Sequence, residues 1–239
     1  RRKFVDSVIS QASHTYLEIL LDYKKTLKQR SRLLAQIKES RDKELLKQLD
    51  VWTETLVKNG VEIVKHRFKF IKEFNPYVVN AYSEIMSNKE EPNLVYNFIG
   101  SDSEEKIEDR FFEELQKVKE VELIRAKNLV GPHRDDFVFY INDFDLRKFG
   151  SQGQHKTFQI ALRFGQFFYM EDKLNRKPIF LMDDVFGELD AYRAYQISNY
   201  LKQIGQAFIT MTDFSRLEKI DRDEADLLVD VKEGNAAYA

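Results

Sequence analysis

Two adjacent carboxylates follow a continuous apolar run. Residues 178–182 read Pro-Ile-Phe-Leu-Met, and Asp183 and Asp184 come directly after them. Such a run is typical of a parallel strand that is buried on both faces. At the end of the strand, one carboxylate can hold a hydrated Mg²⁺ and the next can accept hydrogen bonds from an attacking water. Asp183 is therefore a candidate Mg²⁺ ligand and Asp184 a candidate catalytic group, although many strands end in acidic turns that do no chemistry.

A short loop of small and polar residues is the second candidate site. Residues 151–154 precede a helical pattern that runs to about Tyr169. Small residues let backbone N–H groups approach a phosphate, a serine adds a hydroxyl, and a helix N-terminus favours negative charge. The candidate phosphate contacts are Ser151, Gln152, Gly153 and Gln154.

The same segment is not a phosphate-binding loop of the Gly-x-x-x-x-Gly-Lys-Ser/Thr kind. Residues 150–157 have this spacing, but His155 stands where the second Gly is required. The Cβ of His155 would obstruct the close approach of the backbone to a phosphate. No other segment matches, so the sequence contains no such loop.

Positive charge is concentrated in the first third of the sequence. The 239 residues have a net charge of −2, but residues 1–73 carry 17 Lys and Arg against 10 Asp and Glu, whereas the remainder carries 21 against 30. A basic helical segment suits a polyanion such as duplex DNA, although solvated helix surfaces are often basic without any ligand. The candidate DNA contacts are Lys24, Lys25, Lys28, Arg30 and Arg32.

The composition excludes several classes of protein. The chain has no Cys, which excludes disulfide scaffolds and thiolate sites and fits a reducing cytoplasm. Its longest apolar runs fall far short of the roughly 18 residues that a membrane span needs, and no charged-then-apolar leader opens the sequence. The four His residues are scattered without metal-ligand spacing. We therefore expect a cytoplasmic protein with no zinc site and no membrane partner.

The apolar spacing of the first third predicts a helical arm. Leucines recur every seven positions, at residues 20, 27 and 34, which indicates a narrow seam that packs against another helix. Residues 44–71 supply that helix and are expected to run back antiparallel, with an interruption at Asn59-Gly60. Asn75-Pro76 is expected to end it.

The later part of the sequence predicts an α/β unit. A strand is expected at residues 94–98, and residues 137–147 are expected to form a hairpin around Asn142-Asp143. The apolar runs at 178–182 and 207–211 flank a helical pattern, which indicates a strand–helix–strand crossover with parallel strands. The predicted domains are a mainly helical arm over 1–128 and a parallel-strand core over 129–239.

The order of these motifs resembles ABC-type ATPases. Residues 151–154 resemble the signature motif, residues 179–184 the Walker B strand, and Gly187-Glu188-Leu189-Asp190 the dimer-contact D-loop. The segment Gly-Pro-His-Arg-Asp-Asp at 131–136 narrows the resemblance to the RecF family of SMC/ABC-type ATPases. The resemblance runs from the first residue to about Gly234 and implies the C-terminal half of an ATPase head, joined to the helical arm.

The resemblance implies a role for each candidate residue. Ser151, Gly153 and Gln154 would contact the γ-phosphate of ATP bound to the other subunit. Asp183 matches the Walker B acid, and Asp184 stands where many ABC ATPases have the catalytic Glu. The remaining matches are Asp190 as the dimer-contact residue, Thr212 or Asp213 near the switch position, and His133 and Arg134 as family residues without an assigned role.

The function implied by the resemblance is an ATP-dependent DNA clamp used in DNA repair, recombination and replication and in the SOS response. ATP and Mg²⁺ would join two copies into a homodimer around double-stranded DNA or a junction with single-stranded DNA. RecR-type and RecO-type mediators would help it load a recombinase at gaps. Asp184 is one methylene shorter than Glu, which favours weak hydrolysis.

The missing phosphate loop keeps a second interpretation open. In the family this loop precedes the arm, so we expect this sequence to be the distal part of a longer protein and to be inactive as an ATPase alone. The alternative is a non-catalytic helical scaffold on a degenerate ATPase core.

Overall fold

The arm consists of three helices. The computed structural model describes residues 1–40, 42–86, 90–184, 186, 189–212 and 225–238. Leu34 and Ile37 near the end of the second helix pack against Leu49 near the start of the third, so the predicted antiparallel seam is confirmed. The helices are α1 (Arg2–Ala12), α2 (His14–Ser40) and α3 (Lys43–Met86).

Helix α3 does not end at Asn75-Pro76, so that prediction is wrong. Pro76 lies inside the helix, although it lacks a backbone N–H and crowds the preceding turn. Pro76 itself is exposed, and the opposite side of α3 is a continuous buried face. Burial of that apolar face outweighs the lost hydrogen bond. The buried residues of this stretch are Phe74, Val78, Ala81, Tyr82 and Ile85.

Gly60 does not interrupt α3 either, because the helix needs a glycine there for close packing. A Cβ at position 60 would lie 2.5 Å from Cε1 of Phe111 and 3.4 Å from Cδ of Pro132. Gly60 is buried, so these neighbours cannot simply move into solvent. The low helix propensity of glycine is therefore offset by close packing of Gly60 against Phe111.

We expect Gly60→Ala to lower the free energy of unfolding by about 1–2 kcal/mol. Overpacking of this kind costs roughly 1–3 kcal/mol, and the improved helix propensity returns at most about 1 kcal/mol. Urea unfolding followed by far-UV circular dichroism measures the change. Asn59→Ala is the matched control, since it adds propensity at the neighbouring position without this clash. The packing argument fails if Gly60→Ala costs the same in a Phe111→Leu background as in the wild type.

An antiparallel sheet follows the arm. Its first two strands are β1 (Pro92–Asn97) and β2 (Asp136–Ile141), with helix α4 (Ile107–Arg125) between them in the chain. Asn142 and Asp143 have φ of 49° and 65° and turn the chain into β3 (Phe144–Asp145), which confirms the predicted hairpin turn.

The third strand is shorter than predicted. The chain leaves the sheet after Asp145 and forms helix α5 (Leu146–Phe149). The carboxylate of Asp145 accepts a hydrogen bond from the backbone N–H of Arg147 at 2.9 Å. This helix cap ends the strand where the sequence pattern predicted that it continues.

The parallel unit consists of β4 (Ile179–Asp183) and β5 (Gln206–Thr210), so the predicted α/β class is confirmed. Phe180 and Met182 face the core, but Ile179 and Leu181 are 61% and 71% exposed. The expectation that β4 is buried on both faces is therefore wrong for the described residues. The other elements of this part are α6 (Gln152–Leu174), α7 (Ala191–Leu201), β6 (Val229–Lys232) and β7 (Asn235–Tyr238).

One hydrophobic core joins the arm to the parallel strands. It runs from Val5 in α1 to Ile204 after α7. At its centre, Phe164 of α6 packs on Phe180 of β4 and on Tyr200 of α7, with ring centroids 5.0 and 4.6 Å apart. The boundary between 128 and 129 stays a prediction. No helix in the described part of the chain is long and apolar enough to cross a membrane.

Candidate functional site

Residues 151–154 form a capped helix N-terminus. Ser151 is the N-cap of α6, and its Oγ accepts from the backbone N–H of Gln154 at 3.2 Å. In turn, Oε1 of the Gln154 side chain accepts from the backbone N–H of Ser151 at 2.8 Å. This reciprocal pair is a capping box, and it fixes the start of the helix. Ser151 and Gln152 are exposed, so this N-terminus can be approached from solvent.

The side chain of Gln154 also binds Glu90. Its Nε2 donates to Oε1 of Glu90 at 2.8 Å, and the other oxygen of Glu90 accepts from the hydroxyl of Tyr82. The carboxylate of Glu90 therefore sets the direction of the Gln154 side chain. Sequence reasoning missed Glu90, since it lies 64 positions before Gln154 and in no motif.

The signature segment and the D-loop residue are brought together by Arg193. Asp190 is the N-cap of α7, accepts from the backbone N–H of Arg193 at 2.9 Å and forms a salt bridge with its guanidinium. These interactions with Arg193 lower the pKa of Asp190, the backbone hydrogen bond most of all. A Cβ at position 153 would lie 3.1 Å from Nη1 of Arg193, so the guanidinium packs closely against the start of α6 and a larger residue there would displace it by a few tenths of an ångström.

Arg193 was missed by the sequence reasoning, although a signal for it exists. Asp190 has the position of an N-cap, and Arg193 follows it as the third residue of the helix. At this spacing of three residues the two side chains can also form a charge pair. Gly187 and Glu188 of the predicted D-loop lie outside the described residues.

The two candidate carboxylates lie at the carboxyl edge of the parallel sheet. Oδ1 of Asp183 accepts from the hydroxyl of Thr210 at 2.5 Å, and the backbone N–H of Asp184 donates to the carbonyl of Thr210 at 3.1 Å. Asp184 has φ of 48°, a left-handed conformation that turns the chain sharply after the strand. Both carboxylates are exposed. Thr212 lies just beyond β5 at the same edge, whereas Asp213 lies outside the described residues.

A broad cavity opens beside these carboxylates. It has a volume of about 1250 Å³, runs along the exposed face of β4 and reaches both Asp183 and Asp184. Ile179 and Leu181 line it, together with Lys156 from α6. The edge of the sheet is thus open to a ligand of considerable size.

Asp183 fits the role of a Mg²⁺ ligand that acts with other donors. Mg²⁺ usually keeps several waters and takes one or two protein carboxylates, with the rest of its shell from phosphates. Within the described residues no three His, Asp or Glu side chains form a cluster that could hold a metal ion. An exposed carboxylate oriented by Thr210 suits a partly hydrated, nucleotide-bound ion.

The segment 131–136 joins the arm to the antiparallel sheet. Nδ1 of His133 accepts from the hydroxyl of Tyr23 at 2.7 Å, and its Nε2 lies 3.3 Å from the carbonyl of Asn128. Burial, and secondarily the nearby arginines, lower the pKa of His133 to about 4, so the imidazole is neutral near pH 7. Arg134 donates to the same carbonyl at 3.2 Å. His133 therefore contacts the arm through Tyr23, and Arg134 contacts the carbonyl of Asn128 beyond the end of α4.

A buried arginine that the sequence reasoning missed lies at the centre of this junction. Nη2 of Arg67 donates to Oδ1 of Asp6 at 2.8 Å, and its Nη1 donates to the carbonyl of Pro132 at 2.7 Å. Nη1 also lies 3.3 Å from Asp135, whose carboxylate accepts from the hydroxyl of Tyr96. Burial raises the pKa of Asp135 to about 7, against the opposing effects of Tyr96 and Arg67. One cation thus ties α1, α3, β1 and the 131–136 segment together.

The structure removes one residue from the predicted DNA surface. Arg30 is 3% exposed and donates to Glu122 at 2.6 Å and to Thr53 at 2.9 Å. Its charge is neutralised inside the arm, so the prediction that Arg30 contacts DNA is wrong. The other predicted contacts are exposed on α2, and these are Lys24, Lys25, Lys28 and Arg32.

Comparison with known proteins shows which proteins this chain resembles. No protein-family model matches the chain. Over 220 residues it is 43% identical to the DNA replication and repair protein RecF of Chloroherpeton thalassium, covering 89% of this chain and 59% of the relative. It is 38% identical over 218 residues to the RecF protein of Chlorobium limicola, with coverage of 89% and 59%.

Solved structures give the same result. A structure of the recombination mediator protein RecF with ATPγS matches all of this chain and 62% of that chain, with a TM-score of 0.84 and 31% identity. The structure of a RecF with ATP matches with the same score and coverage at 29% identity.

Over the region that it spans, the chain is similar to RecF proteins in both sequence and structure.

The match to the RecF structure covers the arm and the parallel unit together, since all of this chain is included in it. The predicted fold, an ATPase-head half with a helical arm, is therefore confirmed. The chain spans about three fifths of the length of the RecF relatives that it matches.

Proposed function

We propose that this chain serves in a RecF-type DNA repair protein, as the half that supplies the signature, the catalytic carboxylates and the DNA-contacting arm. The observation that carries the proposal is the match in fold to RecF solved with ATP, at a TM-score of 0.84. Two features of this chain could interact with a nucleotide: the capped N-terminus of α6 and the carboxylates after β4.

The N-terminus of α6 contacts the γ-phosphate of ATP held by a second subunit. The first turn of any helix has N–H groups without a carbonyl partner inside the helix, and here they belong to Gln152 and Gly153. Because Oγ of Ser151 accepts from Gln154, its own proton is free to be donated to a phosphate oxygen. The N–H of Ser151 and the carboxylate of Glu90 together hold both ends of the Gln154 amide, so Gln154 has to leave them to reach the phosphate.

Hydrolysis takes place at the edge of the parallel sheet. Asp183 would hold the Mg²⁺ of the nucleotide, and the bound ion would neutralise charge on the phosphates. Asp184 orients the attacking water and accepts its proton. The sequence has no phosphate loop, so the ATP is cradled by residues that these 239 do not include. In this proposal Asp190 contacts the facing subunit and Thr212 contacts the γ-phosphate.

The arm binds duplex DNA through its phosphates. Lys25, Lys28 and Arg32 follow the helical spacing of three and seven residues and so share one exposed side of α2. ATP-dependent dimerisation brings two such sides together around the duplex, and hydrolysis releases it. The proposed role is to help mediators of the RecR and RecO type load a recombinase at gapped DNA.

Ser151→Arg in the full-length protein tests the contact between subunits. We expect this variant to lose ATP-dependent dimerisation and, with it, the gain in duplex affinity that ATP gives. A long cation at position 151 occupies the space of the γ-phosphate and removes the hydroxyl. Light scattering after gel filtration, with and without ATP, measures the dimer, and fluorescence anisotropy measures DNA binding.

Ser151→Ala is the matched control. It loses the same cap, which is worth about 1 kcal/mol of stability, but it adds neither bulk nor charge. We expect it to dimerise more weakly than the wild type and better than Ser151→Arg at equal thermal stability. If Ser151→Arg dimerises with ATP as the wild type does, the signature assignment is wrong. If no variant or wild-type protein binds duplex DNA, the scaffold interpretation is correct instead.

A further inference from the structure

A second basic surface lies on the arm, away from the side of α2 proposed to bind DNA. It is a cavity of about 570 Å³ between the ends of α2 and α4 and the 127–134 segment. Four of its six lining residues are cations, and two are apolar; none is acidic. The lining consists of Lys38, Ile124, Arg125, Lys127, Leu129 and Arg134.

The position of Lys38 on α2 separates this cavity from the DNA-facing side. At about 100° per residue, Lys38 lies on the same side of the helix as Ser31 and about 140° from Lys25. Lys24 shares the side of Lys38 but lies about 21 Å away along the helix axis. Ser31 points toward the 127–134 segment, since its Oγ accepts from Asn128 at 2.7 Å. The basic cavity and the Lys25 side therefore belong to different faces of α2.

The ends of helices account for only part of this positive charge. Lys38 lies in the last turn of α2 and Arg125 is the last residue of α4, where cations offset the partial negative charge of the helix C-terminus. Each C-terminus carries about half an elementary charge, so both together offset about one of the four cations. The cavity retains an excess of positive charge that suits an anionic ligand.

The apolar lining decides between classes of anion. Ile124 is 68% exposed, and Leu129 lies beside it in the same cavity. A DNA backbone offers phosphates and sugars but no side chain to cover an isoleucine. A protein segment that alternates carboxylates with an apolar side chain satisfies both the cations and Ile124.

We propose that this cavity is a docking site for an acidic segment of a partner protein, anchored by an apolar side chain. Arg125, Lys127 and Lys38 pair with its carboxylates at the rim, and Ile124 and Leu129 receive the apolar anchor. The site goes beyond the proposed clamp, because it needs neither ATP nor DNA.

Two labelled probes and two matched double variants of the full-length protein test the proposal. The probes are a fluorescein-labelled peptide of Asp and Glu with a central Leu, and a labelled duplex of about 20 base pairs. The variants are Arg125→Glu with Lys127→Glu, and Lys25→Glu with Lys28→Glu, which change the net charge equally. All four altered residues are exposed.

We expect the Arg125/Lys127 variant to raise the peptide Kd at least about tenfold while the duplex Kd changes less than about threefold. The Lys25/Lys28 variant leaves the peptide Kd within about threefold of the wild type. Replacing the central Leu of the peptide by Ser, or Ile124→Ser in the protein, is expected to raise the peptide Kd without any change in charge. The peptide result stands whether or not the duplex binds, so failure of the DNA proposal is seen separately.

Two results would overturn the proposal. In the first, both double variants weaken the peptide equally, which would mean that only total charge matters. In the second, the Arg125/Lys127 variant loses duplex affinity as strongly as peptide affinity, which would make the cavity part of the DNA surface.

Discussion

Arg67→Met is expected to lower the free energy of unfolding by about 3–5 kcal/mol, the range for removing one partner of a buried ion pair. The Arg67 side chain is 3% exposed and that of Asp135 is 2% exposed, so water cannot replace the lost guanidinium. Asp6, Asp135 and the carbonyl of Pro132 would all lose a donor. Urea unfolding at pH 8 measures the loss.

Lys69→Met is the matched control, since it removes the same charge from the same helix. The Lys69 side chain is 74% exposed and lies 3.9 Å from Glu73, a surface pair that contributes less than about 1 kcal/mol. If the two variants are equally stable, Arg67 is not the centre of the junction.

The loss in Arg67→Met is expected to be smaller at pH 5 than at pH 8. Burial already raises the pKa of Asp135 to about 7, and removing a nearby cation raises it further. A carboxyl whose folded pKa is raised above the unfolded value of about 3.9 stabilises the fold when protonated, and this contribution disappears as pH rises through the folded pKa. At pH 5 the variant buries a neutral Asp135, whereas at pH 8 it buries a charge without a partner.

The local features of this fold could be predicted from the sequence because neighbouring residues determine them. The cap at Ser151 and the turn at Asn142 and Asp143 each depend on residues within a few positions. The strand ending in Asp183 and Asp184 is recognised by its apolar run in the same way. These elements carry most of the candidate site, which is why its residues could be named.

The features that could not be predicted depend on contacts between distant parts of the chain. Arg30 has the spacing of an exposed cation, but its partner Glu122 lies 92 positions away. Arg67 resembles the other basic residues of α3, and only its pairing with Asp6 and Asp135 explains its burial. Pro76 stays in a helix because residues from α6 cover the opposite face of α3, including Gly165 against Val78. Sequence spacing predicts which side of a helix a residue takes, but not what lies opposite.

Asp184→Asn is expected to reduce ATP hydrolysis by the full-length protein about 10²–10⁴-fold, the range for loss of a positioned general base. The amide cannot take the proton of the attacking water. The substitution keeps the shape of the side chain, and Asn tolerates the left-handed backbone at φ 48°. The bonds from the Asp184 N–H to Thr210 are made by the backbone, so they survive.

Dimerisation distinguishes a catalytic role for Asp184 from a structural one. Because Asp184→Asn leaves Ser151 and Asp183 unchanged, the variant is expected to dimerise with ATP as the wild type does and to release the duplex more slowly. Asp183→Asn is the matched control on the adjacent residue; its loss of activity should be relieved in part by raising the Mg²⁺ concentration, whereas that of Asp184→Asn should not. Steady-state phosphate release over a Mg²⁺ titration measures both. Hydrolysis by Asp184→Asn at the wild-type rate would mean that another group orients the water, and Thr212, at the same edge of the sheet, would be the next residue to test.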